Sequence, residues 1–282
     1  MQVLFGFILA VIVSALAWWA HALNWSGAIA AILLGTIIFG LGGLPWAVLL
    51  LGFFISSSLF SRIFGRRKSG LAEKFSKGSQ RDAGQVLANG GIAGLMVILH
   101  ELAPASSWPW IGFAGSLAAV NADTWATELG VLSQRMPRLI TNGKVVEPGT
   151  SGGISMTGSV SAFAGSLLIA ILALLIWQGN KVSSGFLDQF AVVVLISLAG
   201  MGGSLVDSLL GASIQAIYIC PACQKETERH PYHTCGTPTT LKRGWSWLNN
   251  DWVNIACAVA GAILALVFVV WLPAVFGLSV VL

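Results

Sequence analysis

The sequence predicts an all-α fold: a polytopic transmembrane helical bundle of about eight spans, with broken or kinked helices near the cytoplasmic side. Three observations predict it. Of 282 residues, 56% are hydrophobic and only 9% charged. A soluble domain carries about 25% charged residues, so a surface this apolar is suited to lipid. The apolar residues also fall into runs close to the length of about 20 that a helix needs to cross a bilayer. Finally, 33 glycines suit close helix packing, and 12 Trp against 2 Tyr suit a protein with many interfacial anchors.

The spans are expected at 2–22, 25–42, 44–62, 84–102, 108–132, 154–178, 187–219 and 251–280. The first has no basic flank and no small-residue cleavage site before a polar chain, so it reads as a span and not as a signal peptide. The seventh is too long for one straight crossing. The run Ala199-Gly200-Met201-Gly202-Gly203 is expected to break or kink it. The eighth also outlasts one bilayer, and Pro273 is expected to end or kink it. The whole chain, 1–282, reads as one membrane domain with three long polar loops, at 62–83, 133–153 and 220–250.

The charges fix an orientation. The three loops hold 14 of the 15 basic residues, and only Lys181 lies opposite. Eight spans put all three loops on one side, and the positive-inside rule makes that side cytoplasmic. The pI near 9.0 therefore reflects short juxtamembrane loops, and no nucleic-acid partner is expected. The partners expected are membrane lipid and a lipid-borne substrate.

Polar residues inside spans are costly and mark function. Four groups stand near the cytoplasmic ends. Lys77, Arg81 and Asp82 lead into the fourth span, where Asp82, Gln85 and Asn89 share a face. The helix N-terminus there favours anions. A basic juxtamembrane loop with a capping Asp accounts for Lys74 and the 66–68 run, but not for Asn89. The second group is Asn121, Asp123, Thr124, Thr127 and Glu128 in the fifth span. Its two carboxylates would repel unless protonated or bridged by a cation such as Mg²⁺. A hydrogen-bonded packing cluster between helices is the alternative.

The third group is the turn Gly149-Thr150-Ser151-Gly152-Gly153, followed by Ser155 at a helix start. Backbone N–H groups and hydroxyls in such a turn cradle phosphates. No Lys-Ser/Thr pair closes it, so it is not a Walker A loop, and a plain turn is an equal reading. The fourth group is Asp207 and Ser208 behind Gly202-Gly203-Ser204, with Asn250, Asp251 and Asn254 opening the last span on the same side. His100 and Glu101 lie at the opposite end of the fourth span and read as interfacial.

The loop 220–250 contains Cys220-Pro-Ala-Cys223, then His233 and Cys235. Three soft thiolates and an imidazole suit tetrahedral zinc. Free thiols in a loop ordered by other contacts are the alternative. Cys257 lies within a span and reads as core.

Several runs carry a family resemblance: 81–90, 121–130, 149–155 and 203–211, then Cys220-x₂-Cys223, His233-x-Cys235 and Asn250-Asp251. Together they resemble the integral membrane family that includes the phytyl-phosphate kinase of chloroplast tocopherol synthesis. The resemblance covers roughly residues 75–255. It implies phosphorylation of an isoprenyl monophosphate to the diphosphate by a nucleoside triphosphate. The Asn-x-Asp-Thr run of residues 121–124 also looks like one in membrane polyprenol and phytol kinases, which implies CTP as donor.

On this reading Asp123, Glu128 and Asp207 hold Mg²⁺. Lys77, Arg81 and the 149–155 turn hold phosphates. Asp82, Gln85, Asn89, Asn121, Thr124, Ser208, Asn250, Asp251 and Asn254 orient them. Two other classes stay open. A lipid nucleotidyl- or alcohol-phosphotransferase would release pyrophosphate or a nucleoside monophosphate. An ion-coupled transporter would place its acids at the midplane and show an internal repeat, and neither is seen.

Overall fold

The computed structural model describes residues 1–64, 74, 78, 80–176 and 186–271. Lys77, the basic run at 66–68, Lys181 and Pro273 lie outside the described residues.

Among the described residues, eight helices form the bundle: α1 (Gln2–Trp19), α2 (Trp25–Ile37), α3 (Leu44–Phe64), α4 (Ala83–Leu102), α5 (Trp108–Gly130), α6 (Met156–Ile176), α7 (Phe186–Ser213) and α8 (Asn250–Leu266). Seven of them are long and apolar enough to cross a membrane. The exception is α5, whose 23 residues would rise about 34 Å, enough to span the hydrocarbon core. The polytopic helical bundle expected from the sequence is therefore what forms.

One expectation about a helix break is corrected. Helix α7 runs unbroken through Gly200, Gly202 and Gly203. Its glycines serve packing. A Cβ on Gly200 would run into Ser166 and Ala118, and one on Gly203 into Ala119 and the Cys257 carbonyl. The segment is too long for one span because residues 217–220 are a strand, not helix. Among the described residues, the π-helical turns lie away from the basic loops. α2 continues into a π-helical turn at Ile38–Gly42, and α8 into another at Val267–Trp271.

α5 is the axis of the bundle, flanked by α3, α4, α6, α7 and α8. Fifteen of its residues are buried, from Pro109 to Ala122 without a gap and again at Glu128. Small residues allow this enclosure. A Cβ on Gly115 would meet Ala265 and the Gly261 carbonyl, and one on Gly165 would meet Trp125 and the Asn121 carbonyl. Close backbone approach through small residues is the usual basis of helix association in lipid. α1 lies at the periphery, with Phe5, Ile12 and Leu16 exposed as lipid-facing side chains.

Tryptophans mark both ends. Trp46 packs edge-on against Trp110 and Phe113 between the far ends of α3 and α5. Trp18, Trp19 and Trp25 at the α1–α2 turn, and Trp245, Trp247 and Trp252 before and in α8, are all at least 49% exposed. They stand where interfacial anchors belong. The polar loops also fold. Strands β1 (Arg138–Leu139) and β2 (Gly153–Ile154) pair antiparallel. Strands β3 (Ile217–Cys220), β4 (Lys225–Thr227) and β5 (Thr240–Arg243) form a sheet in the order β4-β3-β5.

Candidate functional site

Described residues of all three polar loops line one cavity of about 530 Å³ at the end of the bundle where α5 and α7 finish. Its walls come from the starts of α4, α6 and α8, the ends of α5 and α7, and the turn at 148–155.

The wall from α4 is built by its cap. Asp82 has extended backbone and accepts a hydrogen bond from Gln85 N at 2.9 Å, while Gln85 Oε1 accepts from Asp82 N at 3.2 Å. This reciprocal box satisfies two of the helix's orphan donors and stabilises it by about 1 kcal/mol. Asp82 thus serves the helix start and is absent from the cavity wall, whereas Gln85 and Asn89 line it. Arg81 stands just before the cap. Its N–H donates to Ala22 O at 3.0 Å, and its carbonyl accepts from Asn24 N at 3.1 Å. Gly27 permits that approach, since a Cβ there would strike the Arg81 carbonyl. The guanidinium lies 5.3 Å from the Phe53 ring and 5.6 Å from Phe54, within electrostatic reach of Glu128.

The polar residues of α5 part company. Asn121 is fully buried. Its Oδ1 accepts from Ser56 and Ser57, and its Nδ2 donates to Gly165 O at 2.8 Å. It joins α3, α5 and α6 and does not reach the cavity, so the packing alternative describes this residue. Asp123, Thr124, Thr127 and Glu128 do line it. Asp123 Oδ1 accepts from Ser204 Oγ at 3.4 Å, and Glu128 Oε1 from Ser61 Oγ at 2.7 Å. Across from them on α7, Asp207 feels the like charges of Asp123 and Glu228. Its Oδ2 is sealed from solvent with no hydrogen-bond partner among the described residues. An unmatched carboxylate oxygen beside a second carboxylate is a setting that a hard divalent cation would relieve. Asp123 and Asp207, with the neighbouring Ser204 and Ser208 hydroxyls, fit such an ion. Glu128 has a different setting, shared by Ser61 and Arg81.

The turn supplies the opposite wall. Gly149 and Gly152 have φ of 77° and 80°, which side chains rarely adopt, and Gly152 sits directly against Ala212 of α7. Thr150, Ser151, Gly153 and Ser155 follow the curve into α6. Ser155 Oγ caps α6 by accepting from Gly158 N at 3.1 Å, and part of the expected donor set is already used within the turn, where Thr150 N donates to Glu147 O and Gly153 N to Thr150 O. The turn is held from outside. Lys74 Nζ donates to Glu147 Oε2 at 2.7 Å and to the Pro148 carbonyl. That bond, and the Lys74 charge, hold the Glu147 carboxyl below the usual carboxylate range.

At the start of α8, Asn249 caps the helix by accepting from Asp251 N and Trp252 N. Asn250 and Asn254 line the cavity, while Asp251 does not. Lys77 lies outside the described residues.

The Cys/His loop brings its four residues together. The ligand atoms of Cys220, Cys223, His233 and Cys235 all lie within 4.8 Å of one another. Hydrogen bonds with Thr237 and His233 pull the Cys235 thiol down to about 5, whereas bonding to Cys235 and burial push the Cys223 thiol up to about 11. The same loop sends Glu228 into the cavity wall. Glu228 Oε1 accepts from Ser151 Oγ at 2.8 Å and from Gln215 Nε2 at 2.9 Å. Sequence reasoning missed Glu228 because it stands in a polar loop, where an acid carries no signal. Ser61 was missed as a single hydroxyl at the end of an apolar span, and Ser204 was named in the fourth group without a role.

The family model described as Integral membrane protein DUF92 matches residues 8–262. Protein PGR of Arabidopsis thaliana is 35% identical over 275 residues, covering 89% of this chain and 91% of that protein. An uncharacterized membrane protein of Methanocaldococcus jannaschii is 35% identical over 193 residues, or 68% of this chain and 75% of its own. The chloroplastic protein VTE6 of Arabidopsis thaliana is 27% identical over 249 residues, with 86% of this chain and 64% of that one covered. No solved structure matches.

Proposed function

The chain belongs to the DUF92 family of integral membrane proteins, and from that premise we propose that it is a membrane kinase converting an isoprenyl monophosphate to the diphosphate with a nucleoside triphosphate. One observation carries this reading. Arg81, Gln85 and Asn89 line the polar cavity on one side and an apolar cleft on the other. The cleft lies among α1–α4 and is walled by residues such as Ala10, Ala17, Leu34, Leu50 and Phe53. A phosphate on a hydrocarbon tail has just these two parts. Its head would meet Arg81 while its tail lay in the cleft.

The residues divide the work. The turn at 149–153 and the N-terminus of α6 would receive the donor phosphates through backbone N–H groups. Arg81, fixed by the α1–α2 turn and backed by Glu128, would hold the acceptor phosphate in line with the donor's terminal phosphorus. Asp123 and Asp207 would hold Mg²⁺, which neutralises charge on the transferring group. An acceptor oxygen then bonds to the γ-phosphorus as its bond to the β,γ-bridging oxygen breaks, and nucleoside diphosphate leaves. The acceptor oxygen is already anionic, so no dedicated base is required. Positioning and positive charge supply the catalysis. The sequence resemblance supports a phytyl or similar tail and CTP as donor. The positive-inside pattern supports a cavity open to the cytoplasm.

The test is transfer by purified protein in liposomes with Mg²⁺. Phytyl or geranylgeranyl monophosphate would be offered with each γ-labelled nucleoside triphosphate in turn. Labelled lipid diphosphate is expected, with one donor preferred. Release of pyrophosphate or nucleoside monophosphate in its place would assign the protein to the phosphotransferases.

A further inference from the structure

We propose that Cys220, Cys223, His233 and Cys235 form a tetrahedral zinc site, and that zinc holds Glu228 in position against the Ser151 turn. The inference does not rest on the kinase reading.

The geometry fits the ion. Thiolates about 2.3 Å from zinc stand about 3.8 Å apart at a tetrahedral angle. Cys220 Sγ and Cys235 Sγ are 3.6 Å apart, and His233 Nδ1 is 3.2 Å from Cys235 Sγ. The four cysteines of the chain are all free. Three thiols and an imidazole gathered this tightly have no covalent bond to explain them. Among the described residues they are also the one group of three or more His, Cys, Asp and Glu side chains clustered for a metal.

The backbone around them is built for sulfur ligands. β3 ends at Cys220, and the chain reverses through Pro221 and Ala222 before β4. Gln224 N donates to Cys220 O at 2.8 Å, with Gln224 at a φ of 56°. That reversal points Cys223 N at Cys220 Sγ, 3.5 Å away. The second ligand pair sits on another tight turn, where Gly236 N donates to His233 O at 2.9 Å and His233 N to Thr237 O at 2.9 Å. His233 is only 4% exposed, and its Nε2 has no hydrogen-bond partner among the described residues. Nδ1 is the ring nitrogen that faces the thiols, so it would bind the ion and leave the ring proton on Nε2. Binding would release the thiol protons and leave a Cys₃His site, a common structural set.

The consequence for the cavity follows from where Glu228 stands. It lies midway in the segment between Cys223 and His233, just after β4. Clamping both ends of that segment shortens the free loop and lowers the entropy lost in ordering it. Ordered, it bonds Ser151 of the phosphate-type turn and Gln215 after α7, and its backbone N–H donates to Lys74 O at 2.8 Å. Zinc would thus brace the turn through Glu228, without itself reaching the cavity.

Full-length protein purified from zinc-supplied cells should carry about one zinc per chain by mass spectrometry. Cys220→Ser and Cys223→Ser should each lose most of it, while Cys257→Ser in α8 should keep it. Should the first two fail to fold, wild-type protein stripped by chelator and titrated with Co²⁺ gives the second measurement. Thiolate-to-cobalt charge-transfer and tetrahedral d–d absorption, displaced by zinc, is expected. Wild-type protein with no zinc and no such absorption, or with a Cys220–Cys235 disulfide in its place, overturns the site. Hydrogen exchange tests the brace: stripping zinc should raise exchange at 224–232 and at 149–155. Unchanged protection at 149–155 overturns the link to the turn.

Discussion

Helix α1 buries four of its 18 residues, whereas α5 buries fifteen of 23. The mean hydropathy of α1 is 2.1, and it qualifies at once as a membrane span; α5 does not qualify by apolarity. The two helices meet different solvents. α1 faces lipid and is coated for it. α5 faces other helices, so it can carry Asn121, Asp123, Thr124 and Glu128, each bonded to a neighbour or turned into the cavity. Hydropathy therefore reports the lipid-facing surface of this protein. The helix that brings Asp123 and Glu128 to the cavity is the one that hydropathy ranks lowest, because most of its length is enclosed by other helices.

The largest effect expected from this contrast is on turnover. Asp123→Asn and Asp207→Asn should each lower it by about 10²- to 10³-fold, the size seen when one electrostatic partner of a transition state is removed. The thermal unfolding temperature should hold or rise, since each change removes a buried like-charge contact. Unchanged phosphate transfer in either variant would mean that α5 or α7 is polar for packing alone.

Packing is next in size. Gly115→Val on α5 should cost about 1–3 kcal/mol or prevent assembly, because the added side chain meets α8 backbone. Ile12→Ala on the lipid face of α1 should cost under about 0.5 kcal/mol. Thermal unfolding in detergent compares the two, and equal losses would erase the distinction between them.

The eight-span bundle was legible because apolar run length and loop charge agree. The unbroken course of α7 was not. A run of glycines reads equally as a hinge or as a packing face, and only the neighbours Ser166, Ala118 and Ala119 decide for packing. Asp82 and Asn121 show the same limit within the site. Both sit beside cavity residues in the chain, yet one caps α4 and the other joins three helices. The Cys/His cluster was legible as spacing because each ligand pair lies on a single tight turn. Glu228 was not, since its partners Ser151 and Gln215 are distant in sequence and carry no matching pattern.

Glu228→Gln sharpens the role of the loop against that of the helices. Losing a charged acceptor for Ser151 is worth about 1.5–3 kcal/mol, so the donor KM should rise by about tenfold or more. A fall in kcat with KM unchanged would place Glu228 in the chemistry and not in the turn. The smallest effect is at Glu147. Its lowered pKa means that the Lys74 contact contributes above the unfolded carboxyl value of about 4.3 and is lost as pH falls through the folded one. Amide exchange at 147–150, corrected for its intrinsic pH dependence, should rise between pH 7 and pH 3. Glu147→Gln should abolish that rise.

The proposal that Asp123, Asp207, Arg81 and the 149–153 turn form one phosphoryl-transfer site beside a lipid cleft can be put to a single-turnover assay in nanodiscs. Wild-type protein is compared with Asp207→Asn on γ-labelled nucleotide and an isoprenyl monophosphate. Label is expected in the lipid diphosphate, matched by nucleoside diphosphate, from wild type alone. Transfer at equal rates by both proteins, or by neither when both bind nucleotide, would contradict it.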